Sequence, residues 1–302
     1  ACAFRYEFAC GALYGLSLLV GCFPLAIART SRLLFPFSFF PFPFSCPMRP
    51  LSEIRAELDT VDADLIAAIA KRQALVAEIG RWKHAQGKQL RDFQREREVI
   101  AHVRERAQDA GLDADIAEQV LKLLIESSLT TQEQDRVRLA GQGGGQRALI
   151  IGGNGRMGRW FVRFLAAQGF DIEVADPSGA PEGVVARSNW KDSALDHDLI
   201  VVAAPLRRSN EVLLELAQRK PTGMVFDIGS LKTPLTEGLK ACAAAGLRIC
   251  SVHPMFGPDT ELLSDRHVIF MPVGAPEVVK EARALFAQTM VQAVEMPLAE
   301  HD

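Results

Sequence analysis

The feature that most constrains the fold of this chain is a glycine-rich turn near its middle, Gly152-Gly153-Asn154-Gly155-Arg156-Met157-Gly158. An apolar run, Ala148-Leu149-Ile150-Ile151, precedes it, and a helical pattern through Trp160, Phe161 and Leu165 follows. A second apolar run, Ile172-Glu173-Val174-Ala175, ends on Asp176, 18 residues past Gly158. Strand, turn, helix, strand and acid in that order have a physical reading. One glycine makes the tight turn, one lets backbone approach a pyrophosphate, and one allows close helix–strand packing, while the acid receives ribose hydroxyls. Gly152, Gly153, Asn154, Gly155, Arg156, Met157 and Gly158 are therefore the expected dinucleotide cradle. An acid at the ribose position favours NAD, since it would repel the 2′-phosphate of NADP. The alternative is a glycine-rich turn that holds no nucleotide.

The turn does not open the chain. Its 302 residues have room for two domains, and the sequence divides into 1–47, 48–138, 139–146 and 147–302. The first stretch holds an uncharged apolar run from Gly11 to Ala28 and a Phe/Pro alternation from Phe35 to Phe44. A leader or membrane anchor is one reading of it. Pro24 interrupts the run, however, and Met48 immediately precedes a well-formed helical pattern. The preferred expectation is that Met48 is the start and residues 1–47 are not part of the native protein. A net charge of −3 carries no basic footprint for nucleic acid. Four of the six cysteines lie in 1–47, leaving only Cys242 and Cys250 beyond it, which is cytoplasmic usage rather than a disulfide framework.

Residues 52–85 read as one long helix, with Ser52 as N-cap and Ile54, Leu58, Val61, Leu65, Ala68 or Ile69, Val76 and Ile79 at spacings of three and four. Arg72 and Lys83 fall within about 20° of the centre of that apolar face. Unpaired cations there are costly to bury. They either line an internal anion site or snorkel to the helix edge on their alkyl stems. Asp92, Arg95 and Glu96 open a second helix on one face; Asp92 alternatively complements the helix dipole, and Arg95 and Glu96 are solvated. A third helix carries two stripes, Ile116-Val120-Leu123-Ser127 and Leu121-Ile125-Ser128-Gln132, which predicts burial between neighbours. Cations, Gln, Ser and Glu without a nucleophile or metal-ligand set suit binding a compact dianion and stabilising charge separation.

These residues resemble the all-helical chorismate mutase family over 50–133, at Arg55, Arg72, Lys83, Asp92, Arg95, Glu96, Ser128 and Gln132. The resemblance implies a three-helix module in an intertwined dimer that rearranges chorismate to prephenate. Arg72 and a partner's Arg55 would hold the carboxylates. Lys83 and Gln132 would hydrogen-bond the ether oxygen as the C–O bond breaks. Asp92, Arg95 and Glu96 would orient the substrate, Glu96 through its hydroxyl, with Ser128 beside them.

Gly141-Gln142-Gly143-Gly144-Gly145-Gln146 reads as a flexible join. Beyond it, apolar runs alternating with helical patterns predict a doubly wound parallel sheet of the Rossmann type, with active residues at strand C-terminal ends. Ala203-Ala204-Pro205 closes the fourth strand, where a nicotinamide ring rests in such folds. Asp227-Ile228-Gly229-Ser230-Leu231-Lys232 closes the fifth, and Val252-His253-Pro254-Met255-Phe256-Gly257-Pro258 the sixth. His253, fixed by Pro254 and Gly257 at the cofactor edge, is the candidate base; Lys232 either faces the same cleft or is a surface charge. This half resembles prephenate dehydrogenase, and 48–302 together resembles the bifunctional chorismate mutase/prephenate dehydrogenase family of tyrosine biosynthesis. The resemblance implies that His253 accepts the proton of the substrate's C4 hydroxyl while hydride passes to NAD⁺ and the ring carboxylate leaves as CO₂. Two departures stand out. No hydroxyl occupies Ala203 or Ala204, and Asp302 falls where the family's C-terminal helical dimerisation domain is expected to begin. The alternative reading is an active mutase carrying a non-catalytic NAD-binding or regulatory module.

Overall fold

The computed structural model describes residues 48–302, so the expectations about 1–47 lie outside the described residues. The chain divides into two compact units, Ala1–Arg55 and Ala56–Asp302. Of the first unit the described part is the approach to helix α1 (Leu51–Ala85) and its first turns. The helix begins at Leu51, directly after Pro50, so Ser52 lies inside the first turn rather than capping it.

In the second unit α1 continues and is followed by α2 (Phe93–Asp109) and α3 (Ala114–Ala140). Asp92 caps α2 by accepting from the Arg95 amide at 3.0 Å, and Asp113 caps α3 through Asp115 N at 2.8 Å. Gly141, at φ 53°, ends α3 in the left-handed conformation that glycine adopts without steric cost.

The expected burial of the α1 stripe is met only in part. Ile69, Arg72, Val76 and Lys83 are half-buried, whereas Leu58, Val61, Leu65 and Ile79 are exposed. On α3 the Leu121-Ile125-Ser128-Gln132 stripe turns inward, while Ile116, Val120 and Leu123 stay exposed. The reason is length: a 35-residue helix spans about 52 Å, well beyond the 17 residues of α2 and the 27 of α3. Among the described residues, α2 and α3 leave part of it uncovered.

The glycine-rich segment after α3 is held rather than loose, which corrects the expected flexible join. Gly143 N donates to Gln168 O at 2.8 Å and Gly145 N to Gly169 O at 3.0 Å. A Cβ at Gly143 would lie 2.5 Å from Phe170 N, so glycine permits a close backbone approach here.

The rest of the unit is an α/β layer structure built on one eight-stranded sheet, in the order β3-β2-β1-β4-β5-β6-β7-β8. The strands are β1 (Arg147–Ile151), β2 (Asp171–Ala175), β3 (Val185–Arg187), β4 (Leu199–Val202), β5 (Met224–Asp227), β6 (Ile249–Pro254), β7 (His267–Pro272) and β8 (Gln292–Glu295). Helices α4 (Arg156–Ala167), α5 (Leu206–Arg219), α6 (Thr236–Ala244) and α7 (Pro276–Ala284) cover it. β1 through β6 are parallel, as expected, but β7 runs antiparallel to β6, with β8 parallel to β7. That departure from an all-parallel sheet follows from the β6–β7 connection, 255–266, which contains no helix to carry the chain back across the sheet.

The central strands β4 and β5 are buried on both faces, each with four apolar or strand-end residues out of solvent. One core packs α4 and α7 on one face through Phe161, Leu165, Phe226, Phe270 and Phe286; the other packs α5 and α6 through Leu213, Leu216, Leu235 and Leu239. Each such side chain contributes about 1.5–3 kcal/mol on burial. Among the described residues no helix is long and apolar enough to cross a membrane.

Candidate active sites

The glycine turn sits where β1 ends and α4 begins, and each glycine in it answers a specific crowding. Gly152 has φ 84°, and a Cβ there would lie 2.7 Å from Ala203 O and Ala204 N. At Gly153 a Cβ would lie 2.7 Å from a Val174 methyl; at Gly158 it would lie 2.2 Å from Gly152 O. Gly155 caps α4 without a side chain, which leaves the first-turn amides of a 12-residue helix facing the turn. The backbone is thereby packed tightly against Val174 of β2 and the residues that follow β4. These residues fit a pyrophosphate. Asn154 N donates to Asp176 Oδ2 at 3.2 Å, and Ser178 N and Oγ donate to Oδ1 at 2.9 and 2.6 Å. Asp176 is thus built into the cradle at the end of β2.

Arg156 opens α4. Its side chain is 80% exposed and reaches Asp259 at 3.4 Å. Met157 packs against the core, and Pro205 caps α5. Ala203-Ala204 supplies no hydroxyl; the buried Ser209 of α5 donates to Ala204 O at 2.9 Å.

His253, the penultimate residue of β6, is half-buried. Its Nδ1 lies 2.8 Å from His301 Nε2, and His301 Nδ1 lies 2.7 Å from Asp302 Oδ1. Burial, the nearby Lys232 charge and His301 together push the His253 pKa down to about 4. The imidazole is therefore neutral at physiological pH.

Lys232 does not face a cleft. Its side chain is 1% exposed and its Nζ donates to Asp227 Oδ2 at 2.7 Å and Val252 O at 2.9 Å. Burial lowers its pKa while the Asp227 carboxylate opposes that. The correction has a simple cause: Asp227, fully buried at the end of β5, requires a compensating charge. Asp227 also accepts from Ser251 Oγ at 2.5 Å and Gly229 N at 2.8 Å. An acid ending an otherwise apolar strand was the available signal for this pair.

In the helical half, Arg72 donates to Ser128 Oγ at 3.1 Å and Leu124 O at 3.2 Å, and Ser128 donates to Gln73 Oε1 at 2.5 Å. Burial lowers the pKa of Arg72. Among the described residues no carboxylate forms an ion pair with it. Gln132 donates to Val76 O at 3.0 Å and, with Ser128, lines a cavity of about 180 Å³. Lys83 donates to Leu90 O at 2.5 Å. Other expected members stand apart: Asp92 is exposed and caps α2, and exposed Arg95 pairs with Glu98 at 3.2 Å. Arg55 lies in the first turns of α1 and is exposed. Glu96 faces a separate cleft, where Arg91 holds it at 3.0 Å. Arg91 was not legible in the sequence, since its other partners lie more than a hundred residues away at Ser264 and Asp265.

Residues 54–133 match the family model described as chorismate mutase type II, and residues 167–295 match that described as prephenate dehydrogenase, nucleotide-binding domain. Along the chain, the stretch that matches chorismate mutase type II precedes the one that matches the prephenate dehydrogenase nucleotide-binding domain. It is 29% identical over 228 residues to the T-protein of Enterobacter agglomerans, covering 75% of this chain and 58% of that protein. It is likewise 29% identical over 227 residues to the T-protein of Haemophilus influenzae, covering 74% and 56%. The match thus spans less than three-fifths of the length of these curated relatives. Among solved structures, prephenate dehydrogenase from A. aeolicus in complex with hydroxyphenyl propionate and NAD⁺ aligns at 20% identity and TM-score 0.43, over 52% of this chain and 61% of that one. Arg72, Lys83, Glu96, Ser128 and Gln132 all belong to the mutase domain, and His253 and the buried Lys232–Asp227 pair to the dehydrogenase domain.

Proposed function

We propose that this chain rearranges chorismate to prephenate in its mutase domain. Its nucleotide domain binds NAD and, together with the further length its relatives possess, oxidatively decarboxylates prephenate to 4-hydroxyphenylpyruvate for tyrosine synthesis. The observation that carries the reading is the order of the two matched domains in one chain, the product of the first being the substrate named for the second.

The mutase step is a charge-separating rearrangement within one molecule, so it needs positioning and electrostatic stabilisation rather than a nucleophile. Arg72, a desolvated cation with no acidic partner among the described residues, is suited to a substrate carboxylate. Lys83 and Gln132, which donate to backbone carbonyls here, redirect those donors to the ether oxygen where negative charge grows. Glu96 receives the substrate hydroxyl. The exposed apolar face of α1 at Leu58, Val61 and Leu65 supports a homodimer in which a second α1 covers it. Arg55 then completes the partner's site.

In the nucleotide domain the glycine turn and the α4 amides would hold the pyrophosphate, Asp176 the ribose hydroxyls, and the Pro205 turn would lie against the nicotinamide. Bound NAD supplies a hydride acceptor. His253 takes the proton of the C4 hydroxyl at Nε2, the ring nitrogen not engaged by His301. Lys232 is a positioning residue: it neutralises Asp227, ties β5 to the Val252 carbonyl and keeps His253 neutral.

Two assays test this reading: loss of chorismate with formation of prephenate, and calorimetric titration with NAD and NADP. Chorismate consumption and a preference for NAD are expected. NADH formation from prephenate by the protein would exclude a module that only binds the dinucleotide, and failure to bind NAD would overturn the assignment of the glycine turn.

A further inference from the structure

Glu96 does not act from a free rotamer. Arg91, in the turn between α1 and α2, donates to it through Nε at 3.0 and 3.3 Å and through Nη2 at 3.1 Å. The remaining terminal nitrogen, Nη1, donates to Ser264 Oγ at 2.7 Å and to the Asp265 carboxylate. One face of the guanidinium lies 4.3 Å from the centre of the Phe93 ring.

Ser264 and Asp265 belong to the 255–266 connection of the dehydrogenase domain, the segment that leaves β6 directly after His253 and Pro254. That connection is pinned in turn by Trp160 Nε1 to Thr260 O at 2.9 Å and by Leu263 N to the buried Glu133 carboxylate at 2.8 Å. Asp265 itself has φ 62°, a left-handed conformation uncommon for a residue with a side chain. The surroundings hold it there, with its carboxylate on Arg91.

We propose that Arg91 is a positioning residue of the mutase site: it sets the plane of the Glu96 carboxylate, and Ser264 and Asp265 of the nucleotide domain set Arg91. The inference rests on the reading that Glu96 receives the hydroxyl of chorismate. A planar guanidinium fork fixes both carboxylate oxygens while leaving each a lone pair for the substrate. A lysine would supply the charge without the plane. The nucleotide domain is in this way part of the support for mutase geometry, and its Ser264 and Asp265 line the cleft that Glu96 faces.

The test is chorismate kinetics on the full 302-residue chain with Arg91→Ala, Arg91→Lys, Asp265→Asn, Glu96→Ala and the Arg91→Ala/Glu96→Ala double variant. Arg91→Ala is expected to lower kcat by about 10- to 100-fold with a smaller change in KM, the cost of a misplaced group. Arg91→Lys should stay within about threefold of Arg91→Ala, because charge without the fork does not restore the geometry. The double variant should be no slower than Glu96→Ala, as two residues acting through one contact are not additive. Asp265→Asn, which keeps the fork and loosens its anchor, should lower kcat at an unchanged melting temperature, and it carries the test if Arg91→Ala does not fold. Wild-type kcat in Arg91→Lys or in Asp265→Asn, or a double variant that loses the product of the two single effects, would overturn the proposal. Wild-type turnover in Glu96→Ala would instead remove the reading beneath it and the proposal with it.

Discussion

At the scale of single residues, the two groups that matter most beyond the mutase pocket are His253 and Lys232, and both owe their behaviour to burial. The folded pKa of His253, about 4, lies below its ordinary value of 6.5. The folded state therefore disfavours the proton. The stability contributed by neutral His253 is complete above about pH 6.5 and is lost as pH falls toward 4. Denaturation midpoints measured across that window should fall more steeply for wild type than for His253→Asn. The same substitution should lower prephenate oxidation by about 10²–10⁴-fold and leave chorismate turnover and NAD binding unchanged. Lys232→Met leaves Asp227 buried without its partner, which should cost about 3–5 kcal/mol of stability by urea denaturation. An unchanged midpoint would show that the pair is not what holds β5 and β6 together at this edge.

Secondary-structure elements were unevenly legible in the sequence. The β1–turn–α4–β2–Asp176 unit was readable because backbone crowding leaves only glycine at several of its positions, and each glycine named in advance meets a real close approach. The three helices were readable from their spacings, although Ser52, the expected N-cap of α1, lies inside its first turn. The reversal at β7 was not, since apolar runs give strand identity but not direction; only the absence of helical periodicity across 255–266 hinted at it. The inward turn of Lys232 was missed for a related reason: sequence shows a lysine after a turn, but not the acid beneath it. Gly158→Ala places a Cβ 2.2 Å from Gly152 O. The overpacking of about 1–3 kcal/mol should weaken NAD binding by roughly five- to 150-fold, read by calorimetry, with chorismate turnover unaffected.

At the scale of the whole molecule, the proposed seating of a second α1 on the exposed apolar length of α1, with Arg55 reaching the partner's site, would make the dimer a functional requirement rather than an accessory. Subunit mixing tests this. Arg55→Ala and Lys83→Ala chains should each be nearly inactive on chorismate, yet their mixture should recover about a quarter of wild-type activity, because half the dimers carry one intact site. If Arg55 served its own chain, no mixture would recover. The dimer was expected only from the resemblance to the chorismate mutase family; apolar residues of α1 and α3 such as Leu58, Val61, Ile116 and Leu123 are exposed. The support that the nucleotide domain gives to Arg91 and Glu133 was invisible, because it joins residues far apart in sequence.

The proposed mutase activity of the helical domain is tested most directly by the steady-state rate of chorismate loss for the wild-type chain and for Lys83→Ala. Wild type should convert chorismate to prephenate, and Lys83→Ala should lower kcat/KM by about 10²–10³-fold, the loss of one donor to the developing negative charge. Equal turnover by the two proteins, or none by wild type, would contradict it.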